Sequence, residues 1–235
     1  MKTSPRSLLG LTLIELLIAV AITAVLLALL FPSYQRARQM GNIARGSSNL
    51  KTISTALFAY ANENNGRLVQ AAISPGFRGT TVGYWFNVLD YYCGGDDWTA
   101  EGQRRGDRPG WQNDPLKVYP QPIYDGSKRA VNVGYGWNFQ HFGYSPTSSS
   151  FSDGIATRLL SIEQPARTIV VGTNKDDPLL QSTSHALLYA NKAGVSTRYN
   201  GRGIYLFADG HLEILAPDEV CADDFFLFKR VKPNP

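Results

Sequence analysis

Between Ser7 and Phe31 the chain reads SLLGLTLIELLIAVAITAVLLALLF, the longest apolar run in a sequence of 235 residues. After Gly10, its only polar members are Thr12, Glu15 and Thr23. A helix of about 21 residues rises ~31 Å at ~1.5 Å per residue, close to the ~30 Å hydrocarbon core of a bilayer. Because a helix satisfies its own backbone hydrogen bonds in lipid, we predict one membrane-spanning helix from Leu11 to Phe31.

Two ordinary interpretations of this run are a cleaved secretory signal and a plain signal anchor. The basic residues Lys2 and Arg6 before the run fit both. The run is longer than the roughly 7–15 apolar residues of a usual signal peptide. Glu15 argues against both interpretations, because a carboxylate in a membrane helix costs on the order of 2.5–3.5 kcal/mol and usually has a function.

The residues around Gly10 closely resemble the N-terminal signal of type IV prepilins and type II secretion pseudopilins. That signal is a short basic leader ending in glycine, then an apolar residue, Thr, Leu, and a Glu at the fifth position after the cut. The resemblance implies that a prepilin peptidase cuts after Gly10 and that Leu11 becomes the N-methylated first residue. It also implies that Glu15 pairs with the terminal amine of a neighbouring subunit and sets the register of assembly. Leu11 stands where the family usually has Phe, and Pro32 where many pilins carry a helix-kinking proline.

The resemblance implies an organisation for the whole chain: a leader (1–10), a transmembrane helix (11–31), an amphipathic helix (32–63) and a loop-rich β head (64–235). The expected fold is pilin-like and α+β, a long N-terminal helix packed on a small antiparallel sheet. The chain would cross the inner (cytoplasmic) membrane once, with its head outside the cytoplasm. Its partners would be the peptidase, other copies and other pilin-like subunits, in a type IV pilus or a type II secretion pseudopilus. Basic residues flank both ends of the span, so charge gives no independent support for this orientation.

After Pro32 the pattern remains helical, with Leu50, Ile53, Leu57 and Tyr60 on one face. Asn64-Asn65-Gly66 is a stop signal that predicts the end of the helix. Gly41 and Gly46 weaken the middle by roughly 1 kcal/mol each relative to alanine, which predicts a kink or local melting there.

Three later stretches predict strands: Val131 to Phe139, Thr168 to Val171, and a hairpin from Gly203 to Leu215. Asp209-Gly210 lies between the alternating halves of the hairpin and predicts a two-residue type I′ turn. An earlier stretch, Tyr84 to Leu89, fits a short buried helix or a strand.

The hairpin carries a second resemblance. Residues 207–212 (FADGHL) are similar to the C-terminal motif of the prepilin-like families of planctomycetes and verrucomicrobia, described by a His, nine residues, then Asp-Gly. Here Tyr199 stands in place of that His. Residues 134–138 and 162–169 are similar to internal segments of the same group.

The sequence offers little support for catalysis. The three histidines, His141, His185 and His211, have no metal-ligand spacing, and no hydrolase or dinucleotide motif occurs. Asp209 and His211 are explained by turn chemistry. We therefore expect no enzymatic activity and no cofactor, although the loop doublets Asp96-Asp97, Asp176-Asp177 and Asp223-Asp224 could supply oxygen ligands for Ca²⁺. The net charge of +4 is diffuse, so no nucleic-acid partner is predicted.

Two further features leave alternatives open. Cys93 and Cys221 would both be exported and could form one disulfide. The four tryptophans could form a glycan-binding surface, which motivates the rival hypothesis of a membrane-anchored polysaccharide-binding protein that uses the prepilin signal only for export. Core packing is the alternative role for most of these tryptophan rings. The four tryptophans are Trp85, Trp98, Trp111 and Trp137.

Overall fold

A computed structural model of the chain describes residues 12–73, 83–93, 134–142, 157–174 and 195–222. The chain divides into two compact units, Met1–Gly41 and Asn42–Pro235. The described residues belong to the α+β class, because one long N-terminal helix is followed by a small antiparallel sheet and short helices.

Helix α1 spans Leu13–Glu63 and contains 51 residues. The segments predicted at 11–31 and 32–63 belong to this one long helix, as expected. It passes through Pro32 and both glycines without a break, so the local melting expected at Gly41 and Gly46 is wrong. The helix ends at the predicted stop signal. Asn65 and Gly66 adopt left-handed φ angles of 56° and 75°, and the Gly66 N–H donates to the Ala61 carbonyl at 2.7 Å.

A two-stranded ribbon and a short helix follow α1. Strand β1 (Ala72–Ile73) pairs antiparallel with β2 (Gly83–Tyr84). The next residues form α2 (Trp85–Tyr92), which decides the ambiguous stretch at 84–89 in favour of a helix. Trp85, Phe86, Val88 and Leu89 of α2 are buried in the main core.

The head is built on a four-stranded antiparallel sheet in the order β3-β4-β5-β6. Its strands are β3 (Tyr135–Trp137), β4 (Ile169–Thr173), β5 (Gly203–Phe207) and β6 (Leu212–Leu215). All lie within or overlap the predicted strand stretches. Short helices α3 (Phe139–Phe142) and α4 (Pro217–Val220) follow β3 and β6.

The hairpin joining β5 and β6 is confirmed, but its predicted turn type is wrong. The Gly210 N–H donates to the Phe207 carbonyl at 2.9 Å, and the Phe207 N–H donates to the His211 carbonyl at 3.0 Å. Gly210 has a φ of 90°, whereas Asp209 keeps a negative φ. This is a three-residue loop with a left-handed third residue, because Ala208 leaves the strand and joins the turn.

A two-residue turn with two left-handed residues does occur nearby, at a position not predicted from the sequence. Asn200 and Gly201 have φ angles of 55° and 76°. The Tyr199 and Arg202 N–H groups each donate to the other residue's carbonyl, at 3.0 and 3.1 Å. Asn-Gly is the dipeptide that this type I′ geometry favours.

Side chains on both faces of the sheet are buried. Ile204 and Leu206 of β5 join the main core with Leu50, Ile53 and Leu57 of α1, the predicted helix stripe. The alternate residues Tyr205 and Phe207 form a smaller core with Ile169, Val195 and Val220.

Gly46 is the point of close approach between α1 and the sheet layer. A Cβ atom there would lie 2.5 Å from Tyr199 Oη and 3.0 Å from Ile204 Cδ1. Tyr199 and Ile204 are both buried. The Tyr135 hydroxyl also donates to the Gly46 carbonyl at 3.5 Å. The absence of a side chain at Gly46 therefore forms a notch in the helix surface that accommodates Tyr199 and Ile204.

This notch predicts opposite effects for two helix glycines. Gly46→Ala should destabilise the head by up to about 2 kcal/mol, since overpacking costs ~1–3 kcal/mol and the gain in helix propensity returns only ~1 kcal/mol. Gly41→Ala should be neutral or stabilising, because nothing lies within 4 Å of a Cβ at that site. Thermal unfolding of the full chain in detergent measures both. Equal stability of the two variants would contradict the close approach.

Candidate functional site

The apolar half of α1 is uncovered. From Leu13 to Phe31 the exposed fraction of the large apolar side chains ranges from 52% at Ile18 to 81% at Leu13. The best 18-residue window of the helix has a mean hydropathy of 2.9, and no part of it is buried. An apolar surface of this extent marks a site of contact with lipid or protein, and the helix is long and apolar enough to cross a membrane.

The first turn of this helix is closed by a reciprocal cap between Thr12 and Glu15. The Glu15 carboxylate accepts hydrogen bonds from the Thr12 N–H at 2.9 Å and the Thr12 hydroxyl at 2.8 Å. The Glu15 N–H donates back to Thr12 Oγ1 at 3.3 Å. Such a capping box satisfies two backbone donors at a helix start. The candidate processing residues Gly10 and Leu11 lie outside the described residues.

The cap orients the Glu15 carboxylate without neutralising its charge. Both hydrogen bonds from Thr12 end on one carboxylate oxygen, Oε2. They orient the group but leave its charge uncompensated within the described part of the chain. The carboxylate is exposed at the start of the apolar segment, so a cation supplied by another molecule can reach it.

Asp209 and His211 contact one another but serve the hairpin turn. His211 Nδ1 lies 2.5 Å from Asp209 Oδ1, its Nε2 lies 3.4 Å from Glu213 Oε1, and its ring stacks on Phe207 at a centroid distance of 4.3 Å. Partial burial opposes the charge of Asp209. The backbone N–H and ring of His211 outweigh this effect and lower the pKa of Asp209 below its usual value. This arrangement fixes the turn at the end of β5.

Gly210 fits the same turn against α1. With its φ of 90°, a Cβ there would meet Phe58 Cε2 at 2.8 Å and Ser54 Oγ at 3.3 Å. The Lys51 ammonium donates to the Gly210 carbonyl at 3.3 Å. Gly210 thus lets the turn, which Asp209 and His211 fix, lie directly against the helix.

The cysteines are not joined by a disulfide in this structure. Cys93 packs beside the main core, with its Sγ 4.0 Å from the Thr52 carbonyl, and Cys221 packs beside the smaller core. The pairing considered from the sequence is therefore not formed here.

Two of the four tryptophans belong to the core and cannot form a glycan-binding surface. Trp85 and Trp137 are fully buried and stack with a centroid distance of 5.9 Å. Trp98, Trp111 and the three acidic doublets lie outside the described residues. Within the described ranges, no group of three or more His, Cys, Asp or Glu side chains is placed to hold a metal ion.

Sequence reasoning overlooked two residues that the structure brings forward. Thr12 caps the helix, and the spacing Thr12-x-x-Glu15 before an apolar run is the signal that could have found it. Arg198 links separate segments, since its guanidinium donates to the carbonyls of Gly134 and Asn174 and to Ser196 Oγ. No sequence pattern marks Arg198, because its partners come from distant parts of the chain.

The fold and this geometry define an α+β protein with one N-terminal helix capable of spanning a membrane. Comparisons of the chain with protein-family models, with curated proteins and with solved structures give no match.

Proposed function

We propose that the chain is a prepilin-like structural subunit. A prepilin peptidase cuts after Gly10, and the mature chain begins at N-methylated Leu11. The chain is anchored in the inner membrane with its head outside the cytoplasm. It then assembles with other copies or other pilin-like subunits into a type IV pilus or a type II secretion pseudopilus. Its role is structural and not enzymatic.

The observation that carries this proposal is the position of Glu15, the only charged side chain of the apolar segment. It lies in the first turn of α1, three residues after the capping residue Thr12. Cleavage after Gly10 would create a terminal amine close in sequence to this carboxylate. In lipid an unpaired carboxylate costs on the order of 2.5–3.5 kcal/mol, so the amine of a neighbouring copy would relieve that cost.

The separation of α1 into an exposed apolar part and a later part buried by the head supports the same proposal. The buried residues of the helix begin at Gly46 and continue to Ala61, so the head uses only the later part of the helix for its core. The segment from Leu13 to Phe31 has no such partners. Its apolar surface can be buried by lipid in the anchored chain and by neighbouring helices after assembly.

A leader variant tests the proposal in cells that produce the full chain. We expect Gly10→Asp to remain uncut, because glycine is the residue that lets a peptidase approach the backbone closely. The uncut chain should stay in the membrane and be absent from the sheared fibre fraction. The matched control Ser7→Asp places the same charge in the leader and should be cut and assembled. Normal assembly of the Gly10→Asp chain would contradict the proposal.

A further inference from the structure

The part of α1 that directly follows the apolar segment carries a set of exposed interfacial side chains, which we call the collar: Tyr34, Arg36 and Arg38. All three are exposed, Tyr34 by 64%. They belong to the same helix and the same compact unit as the apolar segment. The collar begins three residues after Phe31, the last residue of the apolar run.

The two arginines of the collar have no partner in the part of the chain that the structure describes. Neither guanidinium makes a hydrogen bond or an ion pair there. The sequence also contains no acidic residue between Leu16 and Asn62 that could neutralise them along the helix. Two positive charges are therefore presented to the surroundings at the end of the apolar segment.

The collar lies at the level of the lipid headgroup layer for Tyr34 and just beyond it for the two arginines, whose long side chains lean back along the helix towards its N-terminus and so towards that layer. At ~1.5 Å per residue, Tyr34, Arg36 and Arg38 lie about 4.5, 7.5 and 10.5 Å along the axis beyond Phe31. The headgroup layer is roughly 5–7 Å thick on each side of the hydrocarbon core. Arginine side chains extend toward this layer while their stems cover apolar surface, and tyrosine is enriched at the same level.

We propose that the collar binds the phosphate groups of anionic phospholipids. Guanidinium groups bind phosphate oxygens through paired hydrogen bonds, and each basic residue near an anionic membrane strengthens binding by about fivefold. Arg36 and Arg38 are separated by about 200° around the helix, so they contact lipids on different sides and form no single pocket. This contact fixes the depth of the span. This proposal of lipid binding rests on the membrane anchoring in the proposed function, but it does not depend on cleavage or assembly of the chain.

The test measures lipid preference around the full chain reconstituted in phosphatidylcholine vesicles. Spin-labelled phosphatidylglycerol should associate with the wild-type protein several-fold more strongly than spin-labelled phosphatidylcholine. The double substitution Arg36→Gln and Arg38→Gln should bring the ratio close to one. The control Arg158→Gln removes an exposed arginine of the head and should keep the wild-type ratio. A wild-type ratio near one, or an unchanged ratio in the double variant, would overturn the proposal.

Two further measurements distinguish lipid binding from the binding of free anions and from a failure of membrane anchoring. Sodium phosphate and sodium chloride at matched ionic strength should weaken the preference equally. A selective effect of phosphate would indicate a site for free anions and overturn the lipid assignment. Extraction at alkaline pH reports the anchoring itself. A chain that leaves the membrane defeats both proposals, whereas an embedded but uncut chain defeats only the proposed processing.

Discussion

The Glu15→Ala chain is expected to be cut and inserted normally but to reach less than about a tenth of the wild-type level in fibres. The reason is the charge at the start of the apolar segment. A carboxylate at the centre of a membrane helix costs ~2.5–3.5 kcal/mol, so pairing Glu15, near the start of the helix, with the amine of a neighbouring copy avoids at most that cost, which corresponds to up to about 400-fold in an equilibrium constant. The measurement is the amount of mature chain in the sheared fibre fraction relative to the membrane fraction.

Two control substitutions separate charge from capping and from polarity. Glu15→Gln keeps an oxygen that can accept from Thr12 but removes the charge, and it should fail as Glu15→Ala does. Thr23→Ala removes the other polar side chain of the later span, whose hydroxyl donates to the Val20 carbonyl at 2.9 Å, and it should assemble normally. Assembly of Glu15→Gln at the wild-type level would show that the cap matters and the charge does not.

Replacing Gly210 by alanine is expected to cause a large loss of stability for the addition of one methyl group. A left-handed φ costs an alanine ~1–2 kcal/mol, and overpacking against Phe58 adds ~1–3 kcal/mol. The sum, about 2–5 kcal/mol, should lower the melting temperature of the full chain in detergent by at least about 4 °C.

Gly201→Ala is the matched control for this effect. Gly201 has a similar φ of 76°, but nothing lies within 4 Å of a Cβ at that position. It should therefore show only the backbone cost of about 1–2 kcal/mol. If the two variants lose the same stability, the contact between the hairpin turn and α1 does not contribute, and the described packing of Gly210 on Phe58 would be wrong.

The sequence was informative wherever one period or one local signal determines the structure. The spacing of Leu50, Ile53 and Leu57 predicted the buried face of α1, since a helical period leaves a single consistent face. Asn65 and Gly66 predicted the end of the helix, because few residues adopt a left-handed φ. The alternating pattern on either side of Asp209-Gly210 predicted the hairpin that contains β5, whose two buried faces only the structure shows.

Prediction failed where a distant residue or the strand register decides the outcome. Asp209-Gly210 fits both a two-residue and a three-residue loop, and the pairing of Leu206 with Leu212 selects the longer one. The low helix propensity of Gly46 suggested weakness, whereas the space it leaves accommodates Tyr199 from far along the chain. Aromatic composition alone could not distinguish a ligand surface from the core stack of Trp85 and Trp137.

The candidate site likewise combines features that local sequence signals predict with features that only the structure reveals. Glu15 was found because a carboxylate in an apolar run conflicts with its surroundings. Its cap by Thr12 follows from a local spacing and could have been predicted. The collar depends on the absence of acidic partners near Arg36 and Arg38, which becomes meaningful only once one continuous helix carries them beyond the apolar segment.

Processing of the chain as a prepilin is tested by the mass of its N-terminal peptide. The protein should be purified from the membranes of the cells that produce it and digested for mass spectrometry. We expect a first peptide that begins at Leu11 and carries one added methyl group. A first peptide that begins at Met1 would indicate an unprocessed anchor. One that begins between Ala21 and Ala28 would indicate a secretory signal, and either result would contradict the account of Glu15.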